Sequence, residues 1–165
     1  MSLQKIDVRC PKCNKKNRIK IRQEYSEEDM PILLDKTAFK HTCLSCEETW
    51  YLDYSISVTG KDFLVIYKKE DDFLENKEEK LRMRLCHSFE DFKEKLILFH
   101  DGLDDIVIEF IKDFFYRQLE DSLKEEVREI RYDGCNETNL IFYLLGARKS
   151  IGCTKEFYER LNEKR

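Results

Sequence analysis

The residues best equipped for chemistry are two pairs of cysteines, Cys10-Pro11-Lys12-Cys13 and Cys43-Leu44-Ser45-Cys46, with 29 residues between them. A two-residue spacer sets two thiolates along one edge of a tetrahedron, and two such pairs fill every position around one metal ion. A site closed in this way holds structure, because no position remains for water or substrate. Closure requires residue 10 to come beside residue 46. Three alternatives exist: disulfides, a thioredoxin-like dithiol, and two unrelated buried pairs. Disulfides need an oxidising compartment, whereas a chain without an apolar signal segment points to the cytoplasm. A redox dithiol follows a strand in a βαβ unit and occurs once, not twice. Four sulfurs suit zinc or iron. Nothing else in the sequence suggests electron transfer, so the expectation is one zinc with ligands Cys10, Cys13, Cys43 and Cys46, and iron is the alternative.

Other residues invite a catalytic reading. His100, Asp101, Asp104 and Asp105 could serve as acids and bases. They also sit between two helical patterns, where carboxylates in a first turn complement the helix dipole, and that reading is preferred. His41 and His87 stand near cysteines, but four sulfurs already complete the site. Cys86 and Cys153 fall at expected helix N-termini, where thiol acidity rises, with no base in view. Cys135 follows the turn signal Asp133-Gly134 and has no evident role. No phosphate-binding glycine loop or serine-nucleophile motif occurs.

Charge is unevenly placed. The net charge is −4, yet residues 1–23 carry +7, leaving −11 for the rest. Cations near the cysteines offset the net negative charge of a divalent ion with four thiolates. Lys15, Lys16, Arg18, Lys20 and Arg22 also form a candidate surface for phosphates, such as those of a single-stranded nucleic acid, with Tyr25 and Tyr51 as stacking partners. The acidic remainder opposes tight binding of that kind. No apolar run is long enough for a membrane span.

These residues need a scaffold, and the hydrophobic pattern supplies one. Ile6 and Val8 mark a strand entering the first knuckle, and residues 18–22 a strand leaving it, with Ile19 and Ile21 on one face and three cations on the other. Ser26 and Asp29 have capping-box spacing before a short helix over Ile32, Leu33 and Leu34, with Pro31 in its first turn. Residues 39–42 lead as a strand into the second knuckle. Trp50, Leu52, Tyr54, Ile56 and Val58 predict one half-buried strand, which residues 59–62 turn into a hairpin with 63–67. The acidic stretch 70–79 reads as a connection between a β part, 1–69, and an α+β part, 80–165, in one domain. Leu81, Met83 and Leu85 predict a strand. Ser88 caps a helix through Phe92, Leu96 and Phe99 that ends at Gly102. Leu103, Ile106, Val107, Phe110, Ile111 and Phe114 form a wide helical stripe that must pack on a sheet. Residues 130–132 and 140–145 read as a hairpin about Asp133-Gly134, and Thr154 caps a last helix over Phe157, Tyr158 and Leu161.

The chain resembles the CpXC domain family of bacteria and archaea. The likeness lies in residues 8–13, in Phe39-Lys40-His41-Thr42-Cys43-Leu44-Ser45-Cys46, in the aromatic strand from Trp50 to Tyr54, and in Phe99-His100-Asp101-Gly102-Leu103-Asp104-Asp105 with the helix after it. It spans most of residues 5–115. The chain departs from the pattern at Leu44, where proline is expected, and at Glu47, where such knuckles carry glycine. The resemblance implies a zinc-ribbon-like module joined to an α+β body, with no assigned activity. The expectation is therefore an α+β protein built on a structural metal, acting as a binding module for protein or nucleic acid rather than as an enzyme or electron carrier.

Overall fold

The computed structural model describes residues 3–67 and 81–164, so the acidic connection at 70–79 lies outside the described residues. The fold is α+β, and contacts divide it into two compact units, Met1–Lys93 and Glu94–Arg165.

The first unit opens with an antiparallel ribbon of β1, Leu3–Arg9, and β2, Lys16–Arg22. On β2 the period of two is strict: Asn17, Ile19 and Ile21 turn inward, and Lys16, Arg18 and Lys20 outward. β3, Glu24–Ser26, leads through a 3₁₀ turn at Glu27–Asp29 into α1, Met30–Leu34. The expected start signal is present. The Asp29 carboxylate accepts from the Ser26 backbone N–H at 2.9 Å and is gripped by both arms of Arg22 at 2.9 and 2.7 Å. Pro31 sits in the first turn, where its missing N–H costs nothing.

After a 3₁₀ turn at Thr37–Phe39, β4, Lys40–Thr42, pairs with β5, Thr49–Tyr51. The strand expected from Trp50 to Val58 is broken here. Its second half is a separate strand, β6, Ile56–Thr59, which belongs to another sheet. Alternation reports which side of a chain is buried and not which partner it has, so the change of sheet at 52–55 left no mark on it. β6 turns into β7, Phe63–Tyr67, as expected; β7 is buried at every position and has β8, Arg82–Cys86, on its other edge. The sheet order is β3-β6-β7-β8, with parallel pairs at both ends. Leu33, Ile56, Val58, Val65 and Phe92 are fully enclosed. On β8 the alternation is real but inverted: Met83 and Leu85 are about half exposed and Arg82 reaches the Asp62 carboxylate at 2.8 Å.

α2, Phe89–His100, starts where the Ser88 hydroxyl accepts from the Asp91 N–H, and the division between the units falls within it. Gly102, with φ of 71°, ends it in the left-handed conformation that glycine adopts without strain. α3, Asp105–Gln118, and α4, Asp121–Glu126, precede a three-stranded antiparallel sheet of β9, Glu129–Cys135, β10, Asn139–Leu145, and β11, Lys149–Thr154. α5, Lys155–Glu163, closes the unit, with the Thr154 hydroxyl accepting from the Phe157 N–H. On the central strand Leu140, Phe142 and Leu144 are fully buried, and Tyr132 and Phe115 meet the Phe142 ring edge-on.

Two expectations fail in this unit. Asp133-Gly134 is not the hairpin turn. It lies within β9, where the register shifts, and Gly134 supplies the positive φ of a bulge. The turn comes at residues 136–138, closed by the Asn136 carboxamide oxygen accepting from the N–H groups of Thr138 and Asn139. The wide stripe on α3 also divides. Val107, Ile108 and Ile111 are buried, whereas Ile106, Phe110 and Phe114 are exposed, because six positions spread over more surface than one helix face can bury. Among the described residues no helix is long and apolar enough to cross a membrane.

Candidate metal centre

The two knuckles are built alike. At the first, the Cys10 N–H donates to the Lys15 carbonyl at 3.0 Å and its own carbonyl accepts from the Asn14 N–H at 2.9 Å. At the second, the Cys43 N–H donates to Glu48 at 2.8 Å and its carbonyl accepts from Glu47 at 3.0 Å. Each turn closes through a left-handed residue, Asn14 with φ of 58° and Glu47 with φ of 59°. Asparagine tolerates that conformation and glutamate suits it poorly, so the second knuckle keeps a backbone cost of about 1 kcal/mol where glycine would have none. The turns aim N–H groups at sulfur: Lys12 N lies 3.4 Å from Cys10 Sγ, Cys13 N 3.5 Å from the same atom, and Ser45 N 3.4 Å from Cys43 Sγ.

These knuckles meet as closure requires. Cys10 Sγ lies 3.6 Å from Cys46 Sγ, and Cys13 Sγ lies 3.7 Å from Cys43 Sγ. All four sulfurs fall within 4.8 Å of one another. Sulfurs about 2.3 Å from a shared centre form a tetrahedron with edges of about 3.8 Å, so the group is of the size and shape that could hold a metal ion. Cys10 and Cys43 are buried, and Cys13 and Cys46 half-buried. Lys12 reaches across to the Glu48 carboxylate at 2.9 Å.

Charge is prepared unequally among the thiols. The Ser45 N–H brings the Cys43 thiol down to about 6. Burial pushes Cys10 up, but the N–H groups of Cys13 and Lys12 outweigh it and its thiol lies below the ordinary value. The Glu48 N–H favours the Cys46 thiolate, yet burial and the three neighbouring thiols push Cys46 up to about 12. Without a cation the four sulfurs cannot all ionise together, since each new thiolate meets those already formed. A dication at the centre reverses that balance.

Asn17 is a site residue that motif reasoning missed. It is 3% exposed, and its side-chain amide donates to Cys43 Sγ at 3.6 Å and to the Lys15 carbonyl at 3.0 Å. Its oxygen accepts from the Leu44 N–H at 3.2 Å, so one side chain ties both knuckles together. A signal was present: the phase that turns Ile19 and Ile21 inward on β2 turns this polar residue inward too. His41 is not among the clustered ligands; its ring meets Trp50 edge-on at 4.8 Å.

Three of the four candidate acid–base residues, Asp101, Asp104 and Asp105, make structural contacts within the second unit. Asp104 caps α3, accepting from the N–H groups of Ile106 and Val107 at 2.9 and 3.2 Å. Asp101 accepts from the Tyr132 hydroxyl at 2.6 Å, and buried Asp105 lies 3.5 Å from the Lys95 ammonium. Glu94, 6% exposed, pairs with Lys112 at 2.5 Å and accepts from the Tyr132 N–H at 2.8 Å. Cys86 and Cys153 lie at the ends of strands, and burial pushes the Cys153 thiol up, contrary to the acidity expected of it; Cys135 is exposed.

Of the candidate cations, Lys16, Arg18 and Lys20 share the outward face of β2, and the register adds to it. Lys5 lies opposite Lys20, Arg9 opposite Lys16 and Asp7 opposite Arg18. Asp7 pairs with Lys16 at 2.7 Å and with Arg18 at 3.0 Å, and Arg18 beside it holds its carboxyl down at about 2. Arg22 is engaged by Asp29, whereas Lys15 and Lys20 are exposed. Tyr25 is buried under the Arg22 guanidinium, so it offers no stacking surface; Tyr51 is 59% exposed.

No curated protein and no solved structure matches this chain. The CpXC protein family does match it, over residues 8–112. That stretch takes in both knuckles, Asn17, the sheet β3-β6-β7-β8, and α3 as far as Lys112, more than half of the chain, and the protein therefore belongs to the CpXC family.

Proposed function

We propose that Cys10, Cys13, Cys43 and Cys46 bind one zinc ion with a structural role, and that the protein is a cytoplasmic binding module for a protein or nucleic-acid partner. The sulfur spacing of 3.6 and 3.7 Å carries the metal reading. Zinc would offset half the charge of the thiolates and clamp the β1–β2 ribbon to the second knuckle. The structural employment of Asp101, Asp104 and Asp105 favours binding over catalysis. Elemental analysis of untagged protein is expected to find about one zinc per chain in a colourless sample. One iron per chain with a visible thiolate band would replace zinc by the electron-carrier alternative. A metal-free protein with four reduced thiols and the same fold would overturn the assignment.

A second observation favours phosphates as the partner's chemistry. Like charges face each other directly at Lys5–Lys20 and Arg9–Lys16, an arrangement that an anion lying over the ribbon would relieve, although Asp7 already pairs with Lys16. A single-stranded nucleic acid would lie along Lys15, Lys16, Arg18, Lys20 and Arg22. Binding of labelled single strands is expected to be weak and to fall steeply with salt, through counterion release. Changing Arg18 and Lys20 to Glu is expected to weaken it and flatten the salt slope. Absence of binding by the zinc-loaded protein at low salt would leave a protein as the partner.

A further inference from the structure

Within the first unit a cleft of about 160 Å³ opens between α1's following turn, β5, β7 and the start of α2. Its walls are aromatic: Phe39, Tyr51, Tyr67 and Phe89. Phe39 and Tyr67 each meet the Phe89 ring edge-on, at 5.5 and 5.9 Å between centroids, so the rings hold one another at fixed angles. Tyr51, 59% exposed, forms the outer wall. Two charged groups belong to the lining, Asp53 and Lys36. The Tyr67 hydroxyl donates to Asp53 Oδ1 at 2.5 Å and so anchors the carboxylate. Burial, and Asp53 after it, push the Tyr67 hydroxyl up to about 12, which keeps it a donor.

Lys36 shows what chemistry this cleft accepts. Its ammonium lies 4.5 Å from the centroid of the Phe89 ring, a cation on an aromatic face. The residue is held at φ of 65°, a conformation that glycine adopts without strain and lysine does not. That conformation closes the end of α1, where the Lys36 N–H donates to the Leu33 carbonyl at 3.1 Å, and it fixes the point from which the side chain reaches the Phe89 ring.

We propose that this cleft binds a methylated ammonium group, which displaces the Lys36 ammonium from Phe89 and is held by the Phe89 ring face, the other aromatic walls and the Asp53 carboxylate. Ring faces are electron-rich and attract cations, and aromatic walls with a carboxylate are the chemistry that recognises quaternary ammonium. The volume matches, since a cavity of about 150 Å³ takes up a benzene-sized group. Displacement of Lys36 follows from hydration. A primary ammonium is compact and strongly hydrated, whereas methyl groups spread the charge and weaken that hydration, so the methylated head enters an apolar cleft at lower cost. Lys36 is thus a built-in competitor.

The test is titration of the full-length, metal-loaded chain with choline, followed by the NMR resonances of the Tyr51, Tyr67 and Phe89 rings. Parallel arms use 3,3-dimethylbutan-1-ol, which has the same shape without charge, benzoate as an aromatic anion, and a short peptide with trimethyl-lysine. Choline is expected to bind about ten-fold more tightly than the neutral isostere. Lys36→Gly is expected to tighten choline binding several-fold by removing the competitor. Tyr51→Ala and Asp53→Asn, both at exposed positions that leave the core intact, are expected to weaken it. If the peptide binds at least ten-fold more tightly than choline, the natural source is a modified chain; equal binding points to a free small cation, and both support the proposal. Equal binding of the isostere and choline would overturn it. So would binding of benzoate in place of choline, or weaker choline binding by Lys36→Gly.

Discussion

Replacing Cys13 by serine is expected to release the metal and to unfold the β1–β2 ribbon while the second unit stays folded. The ribbon is a two-stranded hairpin, and such hairpins are marginal in water without further support. Its links to the second knuckle include the sulfur contacts and the single side chain of Asn17. Structural zinc in small domains contributes about 10 kcal/mol or more of folding free energy, and removal of one of four ligands forfeits much of it. The remainder of the first unit has an apolar core of its own in Leu33, Ile56, Val58 and Val65, so it should loosen rather than collapse. Hydrogen exchange resolves these outcomes residue by residue. Protection should be lost along β1 and β2 and kept in β9, β10 and β11. Unchanged metal content and unchanged protection in Cys13→Ser would refute both the ligation and the role given to it.

Glu94→Ala is expected to destabilise the second unit by about 3 kcal/mol, at the lower end of what breaking a buried ion pair costs. The carboxylate is enclosed, and its loss takes a partner from the Lys112 ammonium, paired at 2.5 Å, from the Tyr132 N–H, bonded at 2.8 Å, and from the Arg131 guanidinium at 3.8 Å. Lys112 retains Glu109 at 3.0 Å, which limits the damage without removing it, because Glu109 is largely exposed to solvent. Replacing both partners, Glu94→Leu with Lys112→Met, should recover part of the loss, since the Lys112 charge is then removed with its partner and Arg131 keeps Glu129 at 2.8 Å, whereas the Tyr132 N–H still lacks its acceptor. Urea denaturation of the two variants makes the comparison. A loss below about 1 kcal/mol for Glu94→Ala would show that water reaches this network and that the enclosed pair is not what holds the unit.

Some structure was legible because its causes are local. The capping groups Asp29, Ser88 and Thr154, the left-handed ends at Gly102 and Asn14, and the inward line Ile19–Ile21 depend on a few neighbouring residues. The four cysteines belong with these, because tetrahedral geometry dictates a two-residue spacer whatever the fold around it. Other features were not local. A single alternating run from Trp50 to Val58 serves two sheets, and alternation does not report the partner of each half, β4 for one and β3 and β7 for the other. Asp133-Gly134 satisfies a bulge as well as a turn, since both need a residue at positive φ, and only the register of β10 distinguishes them.

The amino-acid sequence by itself determined the family, the α+β composition and the four cysteines that could hold a metal ion, because each rests on residue type and spacing along the chain. The tertiary structure decided that Asn17 joins the two knuckles, that Asp104 caps α3 while Asp101 accepts from Tyr132, and that Lys36 meets Phe89 in an aromatic cleft. The physical reason is contact between residues far apart in the chain. Lys36 and Phe89 stand 53 positions apart, and no periodicity or spacing reports which ring an ammonium will cover.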